Sequence, residues 1–99
     1  MNIDQQYFKR QFPTQPYSFI AKCRATANNA PNQETINQVL VGIISNGGTP
    51  NWCPLMLNQQ TGLWETSAAI ANDNATPFTA QFKANYSKDW INDPIAEST

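Results

Sequence analysis

The stretch PFTAQFKANY sets Phe78, Ala80, Phe82, Ala84 and Tyr86 at alternate positions, with Thr79, Gln81, Lys83 and Asn85 between them. Successive side chains of an extended chain point to opposite faces, so this period of two is what a strand with one face on a core and one in water requires. PYSFIAKCRATAN, Pro16 to Asn28, follows the same rule. Phe19, Ala21, Cys23, Ala25 and Ala27 share one side, Lys22, Arg24, Thr26 and Asn28 the other, and Ile20 is the exception.

ETINQVLVGIIS, Glu34 to Ser45, admits two readings. Ile36, Val39, Leu40, Ile43 and Ile44 make a helical face, and the Asn-Gly-Gly that follows looks like a helix stop. Against this, six of its twelve residues are β-branched, and Gly42 would cost a helix interior about 1 kcal/mol relative to Ala. A buried central strand is the preferred reading; a helix at 33–46 would make the fold α+β.

Reversals punctuate the rest. Asn28-Asn29-Ala30-Pro31-Asn32, Asn46-Gly47-Gly48-Thr49-Pro50, Gln59-Gln60-Thr61-Gly62 and Asp73-Asn74-Ala75-Thr76-Pro77 carry the residues that turns use. Pro54 within NWCPLMLN points to an edge strand or a bulge, since proline cannot donate to a ladder. The chain returns as LWETSAAIAN. Ser87 to Asp93 suits one helical turn capped by Ser87 and ended by Pro94, and the closing IAEST reads as a mobile tail. The expected class is all-β: a small antiparallel meander, sandwich or barrel of about five strands. Its layout is an N-terminal arm at 1–15, a single β domain at 16–93 and a flexible tail at 94–99.

The arm is inferred from QYFKRQFPTQPYSF, which with its neighbours holds five of the eleven aromatic residues. Tyr17 and Phe19 belong to the first strand. Ahead of them, Pro13 and Pro16 close off the segment containing Tyr7, Phe8, Lys9, Arg10 and Phe12, for which a short helix at 5–12 would put the aromatics near one side. Apolar side chains on an extension need cover, so these five residues are candidates for contact with a partner. Three tryptophans would ordinarily share a core under the sheet. An indole left exposed would instead mark an interaction hot spot, and Trp52 and Trp64, on the hairpin at 51–64, are the candidates.

Charge is sparse: 13% of residues carry it, against an average near ~25%, and twelve Asn, nine Gln and nine Thr fill the deficit. A net charge of −1 gives little repulsion between copies, which suits a chain that works assembled. Residues 1–28 sum to +3 (four cations, one acid) and residues 29–99 to −4 (two cations, six acids), an asymmetry that fits subunit-to-subunit contact. Four cations are few for a dedicated nucleic-acid binder, so nucleic acid is an unfavoured partner.

Chemistry finds little to use. Histidine is absent, which removes the commonest base near neutral pH and the usual zinc ligand. The seven acids are scattered; a Glu65–Asp89 dyad would need a groove that a domain of 99 residues has little room to make. Cys53 has no adjacent cation to activate it, and Gly47-Gly48 is a turn rather than a phosphate cradle. No catalytic residue, metal or cofactor is expected. Cys23 and Cys53 are either two buried thiols, the preferred reading, or one bridge worth ~3 to 4 kcal/mol. The start at Met1, with no apolar run of seven, leads to the expectation of a protein made in the cytoplasm without a signal peptide or membrane span. The composite expectation is a non-enzymatic module acting through protein contacts, a homo-oligomer or part of a larger assembly such as a phage particle or surface appendage. The alternatives are a small monomeric inhibitor or adaptor and a small single-stranded nucleic-acid-binding barrel.

Overall fold

The computed structural model describes residues 1–11, 17–27, 35–66, 70–72, 77–86 and 89–98. The strands are β1 (Asn2–Arg10), β2 (Tyr17–Thr26), β3 (Gln38–Ser45), β4 (Asn51–Pro54), β5 (Met56–Asn58), β6 (Leu63–Glu65), β7 (Ile70–Asn72), β8 (Phe78–Asn85), β9 (Asp89–Ile91) and β10 (Ile95–Ala96). They form two five-stranded antiparallel sheets: one in the order β1-β2-β6-β5 with β7 also on β2, the other in the order β10-β8-β3-β4 with β9 also on β8. The chain is all-β, a small sandwich whose thinnest dimension is 19 Å. Among the described residues no helix occurs, so none is long and apolar enough to cross a membrane.

Alternation in the sequence becomes the inside of the sandwich. Phe78, Ala80, Phe82 and Ala84 of β8 are buried along one face, and β3 pairs with β8 over its whole length, Gln38↔Asn85 to Ser45↔Phe78. β3 explains its own ambiguity. Val39, Val41 and Ile43 face inward, while Gly42 and Ile44 on the other face are also buried. A Cβ on Gly42 would stand 2.7 Å from Pro50 and 2.9 Å from the Trp52 ring, so these two side chains lie tight over that face. A strand covered on both faces loses its period of two, which is why the helical face was legible; the helical alternative is not what forms.

Turn chemistry fixes the connections. After β3, Asn46 (φ 50°) and Gly47 (φ 72°) are both left-handed, and Gly48 N–H donates to the Ser45 carbonyl at 3.0 Å, as a two-residue turn of the type that Asn-Gly favours requires. In the next hairpin Gly62 (φ 75°) donates to the Asn58 carbonyl at 2.7 Å. Between these turns Pro54 ends β4. Leu55, buried, donates to the Val39 carbonyl at 2.8 Å, and β5 then pairs with β6 in the other sheet. One bent segment therefore joins the edges of both sheets.

The N-terminal segment is a strand rather than an arm or a short helix. β1 pairs with β2 from Asn2↔Thr26 to Arg10↔Phe19, with one register shift between Asp4 and Tyr7 where Gln5 takes φ 52°. That extra residue is a bulge, and it resets the alternation so that Ile3 and Phe8, five apart, both reach the core. Phe12 and the prolines after it lie outside the described residues.

The C-terminal segment is likewise no free tail. β10 pairs with β8, Ser98 N–H donates to the Phe8 carbonyl at 2.6 Å, and Phe8 N–H donates to Ser98 Oγ at 3.2 Å. Asn92 Nδ2 donates to the Ile3 carbonyl at 2.9 Å. Within the described part of the expected helical turn at 87–93, Asp89–Ile91 instead form strand β9, held by Lys83↔Ile91, Ala84↔Trp90 and Asn85↔Asp89. Short edge strands of two or three residues are too brief to show a period, so the sequence points to about five strands where the described residues form ten segments.

Both cysteines are free, Cys23 buried and Cys53 half-buried. Burial, helped by the nearby Asp4 carboxylate, pushes the Cys23 thiol up to about 12 from an ordinary 9.0, and burial also raises Cys53. A thiol that ionises more readily unfolded than folded contributes stability fully below pH 9.0 and loses it as pH climbs toward 12. Denaturation midpoints measured across this window should fall for the wild type and fall less steeply for Cys23→Ala, and equal slopes would refute the assignment. A second outcome concerns β1. Phe8→Ala should cost about 3–5 kcal/mol in urea titration, and deletion of residues 1–10 should abolish cooperative unfolding; an unchanged transition would put β1 outside the core.

Candidate functional site

The outer face of the first sheet carries a row that crosses four strands: Tyr7 beside Lys22, Lys22 beside Glu65, Glu65 beside Met56. The Lys22 ammonium stands 4.9 Å from the Tyr7 ring centroid, a cation over a π face. Glu65 accepts hydrogen bonds from Asn58 Nδ2 at 3.2 Å and Thr61 Oγ1 at 3.3 Å. Tyr7, Ile20, Lys22, Glu65 and Thr66 line a shallow hollow of about 170 Å³ where β6 leaves its register with β2. That volume is below the usual range of roughly 300 to 1,000 Å³ for small-molecule sites.

The outer face of the second sheet is more apolar. Trp52 lies over Gly42, and the Lys83 ammonium stands 4.2 Å from the indole centroid. Pro54 beside Leu40, Leu40 beside Lys83 and Lys83 beside Ile91 form the neighbouring row.

The residues expected to meet a partner are not brought together. Phe8 is 0% exposed and stacks on Phe19, so its assignment to a partner surface is corrected: its strand turns it inward. Arg10 is engaged within the chain. Its guanidinium donates to both Glu97 oxygens at 3.0 and 2.9 Å and covers the Tyr17 and Phe78 rings at 4.6 and 5.4 Å. Lys9 is exposed, and Tyr7 is half-buried under Lys22. Trp64 packs half-buried against the core, and Trp52 is half-buried on the opposite sheet.

Ion pairing takes one unit from each side of the charge asymmetry read along the chain, because Arg10–Glu97 joins the two segments while Asp4 already counts against Arg24 within residues 1–28. Arg24 pairs with Asp4 at 2.7 Å and Arg10 with Glu97 at 2.9 Å. The Arg24 hydrogen bond holds the Asp4 carboxyl below its ordinary value, and the Glu97 hydrogen bond raises Arg10. Two of the four N-terminal cations are thereby paired within the chain, Arg24 with Asp4 on the exposed surface and Arg10 with Glu97 half-buried.

Among the described residues, the large apolar side chains left in solvent are Met56 (63% exposed), Leu57 (47%), Trp90 (41%) and Ile91 (50%). They occupy two edge strands, β5 and β9. The sequence reading passed over all four as surface residues, because segments of three residues carry no period to show which side is covered. Chemically these surfaces offer apolar contact, backbone hydrogen bonds and a few isolated charges; among the described residues no three His, Cys, Asp or Glu side chains gather where a metal ion could be held. No family model, no curated protein and no solved structure matches the chain.

Proposed function

We propose that the protein is a non-enzymatic module that acts through protein–protein contact as a subunit of a larger assembly. The observation that carries this reading is the placement of Met56, Leu57, Trp90 and Ile91 on short edge strands. An edge strand presents unpaired backbone donors and acceptors, and an apolar side chain beside them adds burial to pairing; proteins that stay alone commonly place charge or proline there instead. A fully buried Met, Leu, Trp or Ile contributes roughly 1.5–3 kcal/mol, so four of them can support an interface.

Weak net charge supports the same reading, since a chain at −1 offers its neighbours little repulsion. Four of the five described acids already have partners within the chain: Asp4 and Glu97 in arginines, Glu65 in Asn58 and Thr61, and Asp89 in Asn85. The amide- and Thr-rich composition is the ground for placing such an assembly in a phage particle or a surface appendage.

Size-exclusion chromatography with light scattering at two protein concentrations provides the check. The expected result is a mass above the 11.1 kDa of one chain, rising with concentration, or retention of a partner in a pulldown. A strict monomer that retains nothing would overturn the proposal.

A further inference from the structure

We infer that β5 is the edge through which two copies of the chain join, antiparallel about a two-fold axis at Leu57, so that their first sheets become one continuous sheet. This rests on the protein-contact reading above and names its partner as a second copy.

Four of the sheet edges can be compared, β7 on β2 being a fifth, and they are not equally guarded. β1 is covered by the C-terminal segment through the paired bonds between Phe8 and Ser98 and by Asn92 on the Ile3 carbonyl. The β9–β10 side is the other half of that closure and carries Asp89, Asp93 and Pro94. β4 contains Pro54, which lacks a donor. β5 holds Met56, Leu57 and Asn58, with neither charge nor proline, and among the described residues no strand pairs with its outer side.

Backbone direction follows from the hairpin. The Asn58 carbonyl is turned inward to accept from Gly62, and antiparallel pairing alternates, so the N–H and C=O of Leu57 point away from β6 toward the open edge. A second β5 laid there sets Leu57 against its own mate, and Met56 against Asn58.

The match is with itself rather than with an arbitrary strand. Leu57 ends the inward row Cys23–Trp64–Leu57, and its mate continues that row with the same apolar residue. No charge on β5 meets its copy. Glu65 is the nearest acid, one strand in, so two Glu65 carboxylates lie at least three strand spacings apart, roughly 14 Å. That exceeds a Debye length of about 8 Å at physiological salt, so like-charge repulsion across the joint is small. Pro54 limits the pairing to a short stretch, which makes the dimer weak and concentration-dependent.

A hydrogen-bonded pair brings Cα atoms to about 5.5 Å, within disulfide reach. The experiment uses the full chain in a Cys53→Ser background, where the remaining Cys23 is buried. Leu57→Cys under mild oxidation should form a cross-linked dimer at least tenfold faster than Thr61→Cys on the same hairpin, and adding Met56→Lys should suppress it. Because Met56 is largely exposed, Met56→Lys alone keeps the core and should lower the wild-type mass toward the monomer in sedimentation. Equal cross-linking rates, or a mass unmoved by Met56→Lys while the wild type remains associated, would overturn this inference and leave the protein-contact reading standing. A wild type that is strictly monomeric and partnerless would overturn both.

Discussion

Phe19 is the ring on which the two sheets meet. It stacks on Phe8 with centroids 4.9 Å apart and planes 13° from parallel, and it meets Phe78 of the other sheet at 4.7 Å in a tilted contact. All three rings are buried, and Phe8 and Phe19 are among the largest fully buried side chains. At roughly 1.5–3 kcal/mol each, they make up a large part of what a thin domain can gather. Arg10 extends the cluster outward: it lies over Tyr17 and Phe78, and its two bonds to Glu97 draw the C-terminal segment to the edge of β1. The N-terminal residues thereby form an edge strand that supplies the core.

Closure on one side leaves exposure on the other. The bulge at Gln5 lets β1 present both Ile3 and Phe8 to the core while its outer edge meets residues 92–98. At the opposite side the bent β4–β5 segment belongs to both sheets, and its second half carries exposed Met56 and Leu57 without a guarding charge. One edge is secured by an arginine pair, a serine and an asparagine and another is left bare, and the proposed association falls on the bare one. The proposed function by contact rests on where closure ends.

How much of this was legible depends on how local its cause was. The faces of β2 and β8 and the turns at Asn46-Gly47 and Gly62 could be read because alternation and left-handed turn residues are written in neighbouring positions. The location of β3 was legible but its type was divided, since Trp52 and Pro50 bury its second face and erase the period. Phe8 and Arg10 read as an exposed arm because their partners, Ser98 and Glu97, lie 90 and 87 positions away. A register shift of one residue at Gln5 left no sequence pattern either. Met56, Leu57, Trp90 and Ile91 escaped notice for the related reason that edge position is a property of the assembled sheet.

Hydrogen exchange at single amides tests most directly whether the two chain ends close the sandwich. The account predicts that the Phe8 and Ser98 amides exchange slowly, in step with those of β3 and β8, because opening either bond requires separating the edge that Phe8 anchors. Free-peptide exchange at Phe8 and Ser98 alongside a protected β3–β8 pair would contradict it.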